Sequence, residues 1–234
     1  MNQLRHQLLN ERFTLLVSLP RNDVRLAEAA LRGGAQGLKV HINVQHFASG
    51  TRFGSLQEER DSLAAILDVA RAAGASVGIV PGAATPDGGV FASPEDFAHL
   101  AALGVDYFDA YPADAPAWTL VQKHLDVMLA AFYGGTMAQV RALEKAGMRL
   151  CEASIMPHDD YGKPLSALDV AAYAELTGAL ESPVIVPSQK HLLPTDVPAL
   201  QAAGVRGVLI GAIVTGREAE SIETATRAFR DAMA

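Results

Sequence analysis

Short apolar, β-branched runs alternate along this chain with longer stretches in which Ala and Leu are interleaved with charges. A glycine repeatedly marks the change. Ala29-Ala30-Leu31-Arg32-Gly33-Gly34 precedes Gly37 to Asn43, Arg71-Ala72-Ala73-Gly74 precedes Ser76 to Val80, and Ala101-Ala102-Leu103-Gly104 precedes Asp106 to Ala110. Glu144-Lys145-Ala146-Gly147 before Leu150 to Ile155, and Gln201-Ala202-Ala203-Gly204 before Gly207 to Ile210, repeat the arrangement. A glycine can take the left-handed conformation that closes a helix, after which the chain turns into a buried strand. Leu125 to Phe132 and Pro183 to Val186 lack the glycine but read as strands, and Phe13 to Leu19 opens the series. Helix starts stand at Ser93-Pro94-Glu95-Asp96 and Pro194-Thr195-Asp196, where a hydroxyl or carboxylate can cap free amides.

Eight strands alternating with helices predict parallel βαβ units. No linker or low-complexity tract breaks the series, so residues 1–234 read as one α/β domain, a (β/α)8 TIM barrel. A doubly wound open sheet is the alternative. The strand number disfavours it, as does the lack of a Gly-x-Gly-x-x-Gly after the first strand.

In such a barrel the carboxyl ends of the strands face the ligand, and the strand period of two selects candidates. In Leu38-Lys39-Val40-His41-Ile42-Asn43 the apolar residues pack on helices, so Lys39, His41 and Asn43 point inward. A lysine inside a barrel is costly unless paired or functional. Strand four presents Tyr107, Asp109 and Tyr111 on one face, and strand six presents Glu152, Ser154 and Met156. Lys39, His41, Asp109 and Glu152 are therefore the expected catalytic set, with the carboxylates as acid–base groups or as partners that orient the Lys39 ammonium.

Loops after strands seven and eight form the usual phosphate cradle of this fold. Here they supply Ser188, Gln189 and Lys190, then Gly211 and Ala212, which are small enough for backbone amides to approach an anion. The loop Val44 to Ser55 is long for a βα connection and reads as a lid or ligand loop, from which Arg52 can reach a substrate anion. Asn43 completes the expected binding set. His158, Asp159, Asp160 and His191 offer a weaker alternative, a divalent-metal cluster.

Composition narrows the classes. The net charge of −7 speaks against nucleic acid and anionic membranes, and no apolar run is long enough to span a bilayer. Cys151 stands alone, which excludes an internal disulfide and a cysteine-based zinc site. Met1 to Arg12 is charged throughout and reads as no signal peptide, so the expected location is cytoplasmic. No cofactor is expected.

Taken in order, several blocks resemble the N-acylglucosamine-6-phosphate 2-epimerase (N-acetylmannosamine-6-phosphate epimerase) family. They are Leu15-Leu16-Val17-Ser18, Gly33-Gly34-Ala35-Gln36-Gly37-Leu38-Lys39, Gly78-Ile79-Val80 and Val90-Phe91-Ala92-Ser93-Pro94. Gly104-Val105-Asp106-Tyr107-Phe108-Asp109-Ala110, Pro183-Val184-Ile185-Val186 and Ile210-Gly211-Ala212-Ile213-Val214-Thr215 continue the match. The resemblance implies a barrel of the ribulose-phosphate-binding kind, a phosphorylated small-molecule substrate and a homodimer. It also locates departures. The family's catalytic lysine falls where this chain has Pro81, and its glutamate falls at Pro187 and Ser188. Its second-strand arginine is replaced by Lys39, while Asp109 carries over.

Proline can neither abstract nor donate a proton, so the family's epimerisation cannot run here in its usual form. The expected activity is that of an isomerase, epimerase or aldolase-type lyase acting on a small phosphorylated sugar or related metabolite. Lys39 would then serve as electrophile or Schiff-base amine. A barrel that binds such a metabolite without turning it over is the second reading, and a metal-dependent barrel the third.

Overall fold

In the computed structural model, which describes residues 3–10, 13–84 and 89–233, the eight expected runs close into one parallel barrel. Met1, Asn2, Glu11 and Arg12, from the charged opening stretch, lie outside the described residues. The barrel strands are β1 (Thr14–Ser18), β2 (Gly37–His41), β5 (Ser76–Val80), β6 (Tyr107–Ala110), β7 (Asp126–Phe132), β8 (Leu150–Ser154), β9 (Val184–Pro187) and β10 (Gly207–Ile210). The intervening β3 (Gln45–His46) and β4 (Thr51–Arg52) form a small antiparallel hairpin inside the long loop after β2. Neighbouring barrel strands follow one another around the ring, and β10 closes on β1 through the register Leu16 with Leu209.

The outer layer carries α2 (Val24–Arg32), α3 (Leu56–Ala72), α4 (Pro94–Leu103), α5 (Met137–Ala146), α6 (Ala167–Ala179), α7 (Val197–Ala202) and α9 (Ala219–Asp231). The glycine punctuation does what the pattern predicts. Gly34, Gly74, Gly104, Gly147 and Gly204 all have positive φ. Ser93 caps α4 through a reciprocal capping box with Asp96. Alternate residues of each strand face these helices. Leu38, Val40, Val77, Ile79, Phe108, Val208 and Ile210 are all buried in that outer core.

The barrel interior is layered. At its amino end the first helix, α1 (Gln3–Asn10), acts as a plug whose Leu4 and Leu8 join Leu16, Tyr107, Met128, Leu150, Ile185 and Leu209 in one apolar cluster. Asp106, just ahead of β6, accepts the amides of Gln3 and Leu4 at 2.9 and 2.7 Å, which fixes the start of α1. Both leucines are fully buried, each contributing about 1.5–3 kcal/mol of apolar transfer. The Tyr107 ring fills the centre beneath Gly78, where a Cβ would lie 2.0 Å from the ring. The apolar plug ends there, and the polar mouth begins one step further along the strands.

Candidate active site

The mouth is a cavity of about 510 Å³ at the carboxyl ends of the strands. Its floor is an ion triad. Lys39 Nζ lies 2.7 Å from Asp109 Oδ2 and 2.6 Å from Glu152 Oε2, and Ser154 Oγ donates to Glu152 Oε1 at 2.6 Å. All three charged residues line the cavity and are less than a tenth exposed. They come from β2, β6 and β8, alternate members of the ring, so their side chains meet in one layer, as inward residues of a β/α barrel do. The three inward positions read from the strand period are thus brought together.

The electrostatics assign different states to the two carboxyls. Burial alone would depress the Lys39 pKa, but Asp109 and Glu152 outweigh it, and the net shift is upward. Burial and the Glu152 charge push Asp109 well above the usual carboxylate range, against the pull of Lys39. Burial also opposes ionisation of Glu152, yet Lys39 and the hydrogen bonds it receives bring it down to about 2. The triad therefore holds an ammonium and an ionised Glu152, with Asp109 the carboxyl that retains its proton more readily. Two carboxyls with opposed shifts are the signature of an acid and a base in one site. A Schiff base on Lys39 requires a neutral amine, and this environment keeps the amine charged.

His41 is fully buried and lines the cavity, with no hydrogen-bond partner for either ring nitrogen among the described residues. Burial, with His46 and Lys39 nearby, holds its pKa well below the ordinary histidine value. Its ring is flanked by Phe53 at 4.6 Å and His46 at 4.5 Å. Asn43 follows β2 with φ 57°, the one non-glycine residue with positive φ among those described, and donates to the Pro81 carbonyl at 3.2 Å while lining the cavity. Asparagine tolerates this left-handed position better than most residues.

The expected anion cradle divides. Gly211 and Ala212 sit where β10 gives way to the four-residue helix α8 (Ala212–Thr215), and both line the cavity with Ser188 and Gln189. Ser188 Oγ accepts the Gly211 amide at 2.8 Å. The first amides to donate within α8 are those of Val214 and Thr215, both to the Gly211 carbonyl, so those of Ala212 and Ile213 precede the intrahelical ladder. A Cβ at Gly211 would meet only ordinary contacts, Ser18 Cβ at 3.5 Å and Ser188 Oγ at 3.8 Å. Packing does not demand this glycine.

The other three expected binding residues are placed differently from these. Lys190 is buried outside the cavity lining, its ammonium 3.3 Å from Asp160 and 3.4 Å from Asp169, where it ties the β9 loop to the start of α6. Arg52 lies exposed on β4, also outside the lining. The Gln189 side chain borders the cavity but is spent on protein, since its Oε1 accepts the Met156 amide at 3.1 Å and its Nε2 donates to Tyr161 Oη at 2.6 Å. The metal alternative disperses as well. His158 stacks on Phe47, Asp160 pairs with Lys163 and Lys190, and His191 Nδ1 lies 3.2 Å from the Ile213 carbonyl. Among the described residues no three His, Cys, Asp or Glu side chains come together as a metal site. Cys151 faces the outer core, and burial pushes its thiol up to about 12.

His46, one of the polar residues of the expected Val44 to Ser55 ligand loop, lines the mouth, as do Phe47 and Tyr161, which the sequence did not mark as site residues. Each sits in a loop where no strand period indicates direction. For His46 and Phe47 the available signal was the length of the Val44 to Ser55 segment; Tyr161, in the loop after β8, had none. No described helix is long and apolar enough to cross a membrane.

Comparison with known proteins agrees on architecture. No protein-family model matches the chain, and no curated protein matches by sequence. Solved structures do match over nearly the whole chain. A thiamine phosphate pyrophosphorylase from Pyrococcus furiosus superposes with a TM-score of 0.69 at 15% identity, covering 98% of this chain and 97% of its own. KGPDC from Streptococcus mutans, in complex with D-R5P, gives 0.67 at 15% identity, with 94% and 97% covered. A mutant tryptophan synthase alpha-subunit from Pyrococcus furiosus gives 0.69 at 14% identity, with 93% and 98% covered. At such identities the likeness is one of fold, and the chain is a closed (β/α)8 barrel of the kind on which these enzymes are built.

Proposed function

We propose that this barrel is an enzyme acting on a small phosphorylated sugar or related metabolite, by proton transfer at a carbon next to a carbonyl. Isomerisation and epimerisation begin with that step, and aldol-type cleavage reaches the same enolate when a base takes the β-hydroxyl proton and the carbon–carbon bond breaks. The observation that carries the reading is the buried Lys39 ammonium held between Asp109 and Glu152 at the floor of a cavity bordered by Ser188, Gly211 and Ala212. Glu152, the ionised carboxylate, takes the carbon-bound proton. The electron pair moves onto the carbonyl oxygen, where the fixed charge of Lys39 stabilises the enolate. Asp109 holds the proton returned to the intermediate. The phosphate of the substrate sits against the amides that open α8, where unpaired N–H groups favour an anion. The phosphate-ester chemistry named for the thiamine phosphate pyrophosphorylase supports that end of the site by analogy of fold.

The resemblance to the 2-epimerase family extends this reading to the barrel but not to its catalytic residues. Pro187 occupies the cavity wall where that family's glutamate falls, and Pro81 spends its carbonyl on Asn43. These two prolines are what favours the second reading, a barrel that binds the metabolite without turnover. One experiment separates the two. The protein is incubated in D2O with a panel of ketose and aldose phosphates, and exchange of the proton beside the carbonyl is followed by NMR. Exchange that disappears in Lys39→Met supports the enzyme. Binding without exchange supports the second reading, and neither binding nor exchange across the panel overturns both.

A further inference from the structure

We propose that His46, on the β3–β4 hairpin, touches the substrate as a neutral imidazole whose Nε2–H donates to the carbonyl oxygen that gains charge during proton transfer. The inference rests on the reaction proposed above and adds a hydrogen-bond donor to it.

The hydrogen bonds around the ring fix its tautomer. The Ser49 backbone amide donates to His46 Nδ1 at 3.3 Å, and the Ser49 hydroxyl lies 2.8 Å from the same nitrogen. A backbone amide can only donate, so Nδ1 carries a lone pair and the single proton of the neutral ring sits on Nε2. Ser49 is buried at 1% exposure, which leaves its hydroxyl committed to the ring rather than to water. Among the described residues nothing accepts from Nε2. The ring lines the same cavity as Lys39, Asp109 and Glu152.

Charge keeps the ring neutral. Burial and the Lys39 ammonium lower its pKa to about 4, with Glu152 pulling weakly the other way, and the facing His41 is held neutral too. An imidazolium here would sit beside an ammonium. A neutral N–H instead adds a dipole for the enolate oxygen without competing for the carboxylates, and its proton stays on nitrogen as the electron pair moves onto oxygen.

Two consecutive rings anchor the hairpin. His46 lies against His41. Next to it, Phe47 stacks on His158 with centroids 5.2 Å apart and planes at 18°, and meets Tyr161 edge-on at 5.9 Å. Phe47 is nevertheless 70% exposed, so these rings bridge the open mouth from the β2 loop to the β8 loop rather than filling a core. The bridge holds the segment that carries His46 at the wall of the cavity whose floor is the triad. Ser49 acts through His46 and is a positioning residue.

The test uses 2-phosphoglycolohydroxamate, a stable mimic of a phosphorylated enediolate, with imidazole 15N spectra and calorimetric titration. In the free protein His46 Nδ1 should resonate as a pyridine-type nitrogen and Nε2 as a pyrrole-type nitrogen, and Nε2–H should shift on adding the hydroxamate. His46→Phe, which keeps a ring against His41, should weaken hydroxamate binding about 10- to 100-fold, the range for a donor to a charged acceptor. Ser49→Ala should mix the tautomers and weaken binding less, and it carries the test if His46→Phe does not fold. An Nδ1–H tautomer, or equal affinity in wild type and variants, overturns this inference alone. Failure of the wild type to bind the hydroxamate overturns it together with the sugar-phosphate reading.

Discussion

Lys39 Nζ and Glu152 Oε2 meet at 2.6 Å although their strands, β2 and β8, stand four places apart around the ring of eight. The pair spans the barrel, and Asp109 joins it from β6, midway between them on one side. A buried pair of this kind is weak evidence for stability, because desolvating both charges offsets much of their attraction. The pair lies above an apolar plug and at the floor of an open cavity, where the proposed reaction uses it.

Removing the cation should therefore cost more than losing a contact. Lys39→Met leaves two buried carboxyls facing each other, and loss of one member of a buried pair costs about 3–5 kcal/mol. Without the ammonium Glu152 loses what holds its pKa at about 2, and burial then pushes it up. A carboxyl whose folded pKa is raised destabilises the fold above its unfolded value and recovers as pH falls. Urea titrations should show the deficit of Lys39→Met to be larger at pH 8 than at pH 5. A pH-independent deficit would assign the loss to packing.

The wild type should lose stability in mild acid for a different reason. His46 has a folded pKa of about 4 against 6.5 unfolded, and His41 is shifted the same way. A base with a depressed folded pKa contributes stability above its unfolded value and loses it as pH falls toward the folded one. The window is pH 6.5 to about 4, and the His46 share is about 2–3 kcal/mol. Asp109 acts with the opposite sign, since its raised pKa favours the folded state as pH falls, while the Glu152 contribution fades only below pH 4.5 toward about 2. Denaturant midpoints should therefore fall less steeply from pH 6.5 to 4 in His46→Phe than in wild type. Parallel curves would show that His46 protonates freely in the fold.

The physical origin of each feature decides how much of it the sequence disclosed. Glycine-closed helices and β-branched runs act over a few residues, so all eight barrel strands were legible. The strand period also aimed Lys39, Asp109 and Glu152 inward, and the barrel then brought them together. Lys190 and Arg52 follow no such period. Lys190 is claimed by Asp160 and Asp169, and Arg52 by the outward side of a hairpin whose turn no short-range pattern specifies. The same absence of periodicity left the direction of His46 and Phe47 open. Their direction is set by stacking on His41 and His158, partners as far as 111 residues along the chain in the second case. The α1 plug was hidden for a related reason, because its apolar face is explained only by the open end of the barrel it covers.

Gly78 should be the least replaceable residue of the interior. A Cβ there would lie 2.0–2.5 Å from three atoms of the Tyr107 ring, which is itself fully buried. Gly78→Ala should cost about 1–3 kcal/mol as overpacking. Trimming the ring relieves the same clash, so Gly78→Ala combined with Tyr107→Leu should be less destabilised than the sum of the two single changes. Thermal or urea unfolding of the four proteins measures the coupling. Strict additivity would mean that the ring can move aside.

Gly211 poses the reverse case, and it separates packing from anion binding. The added Cβ would meet Ser18 and Ser188 only at ordinary contact distances, and φ of −133° is open to any residue. Gly211→Ala should therefore change stability by no more than about 0.5 kcal/mol, as an unstrained substitution does. The methyl would nevertheless stand at the cavity wall beside the amides of Ala212 and Ile213, where the proposed phosphate sits. Ligand that binds only the folded state raises the melting temperature by mass action, so inorganic phosphate should stabilise the wild type in a concentration-dependent way. The variant should require about tenfold more phosphate for the same rise, corresponding to about 1.4 kcal/mol of binding. Equal phosphate stabilisation of the two proteins would place the anion elsewhere in the mouth, and a large loss of stability without ligand would return Gly211 to a packing role.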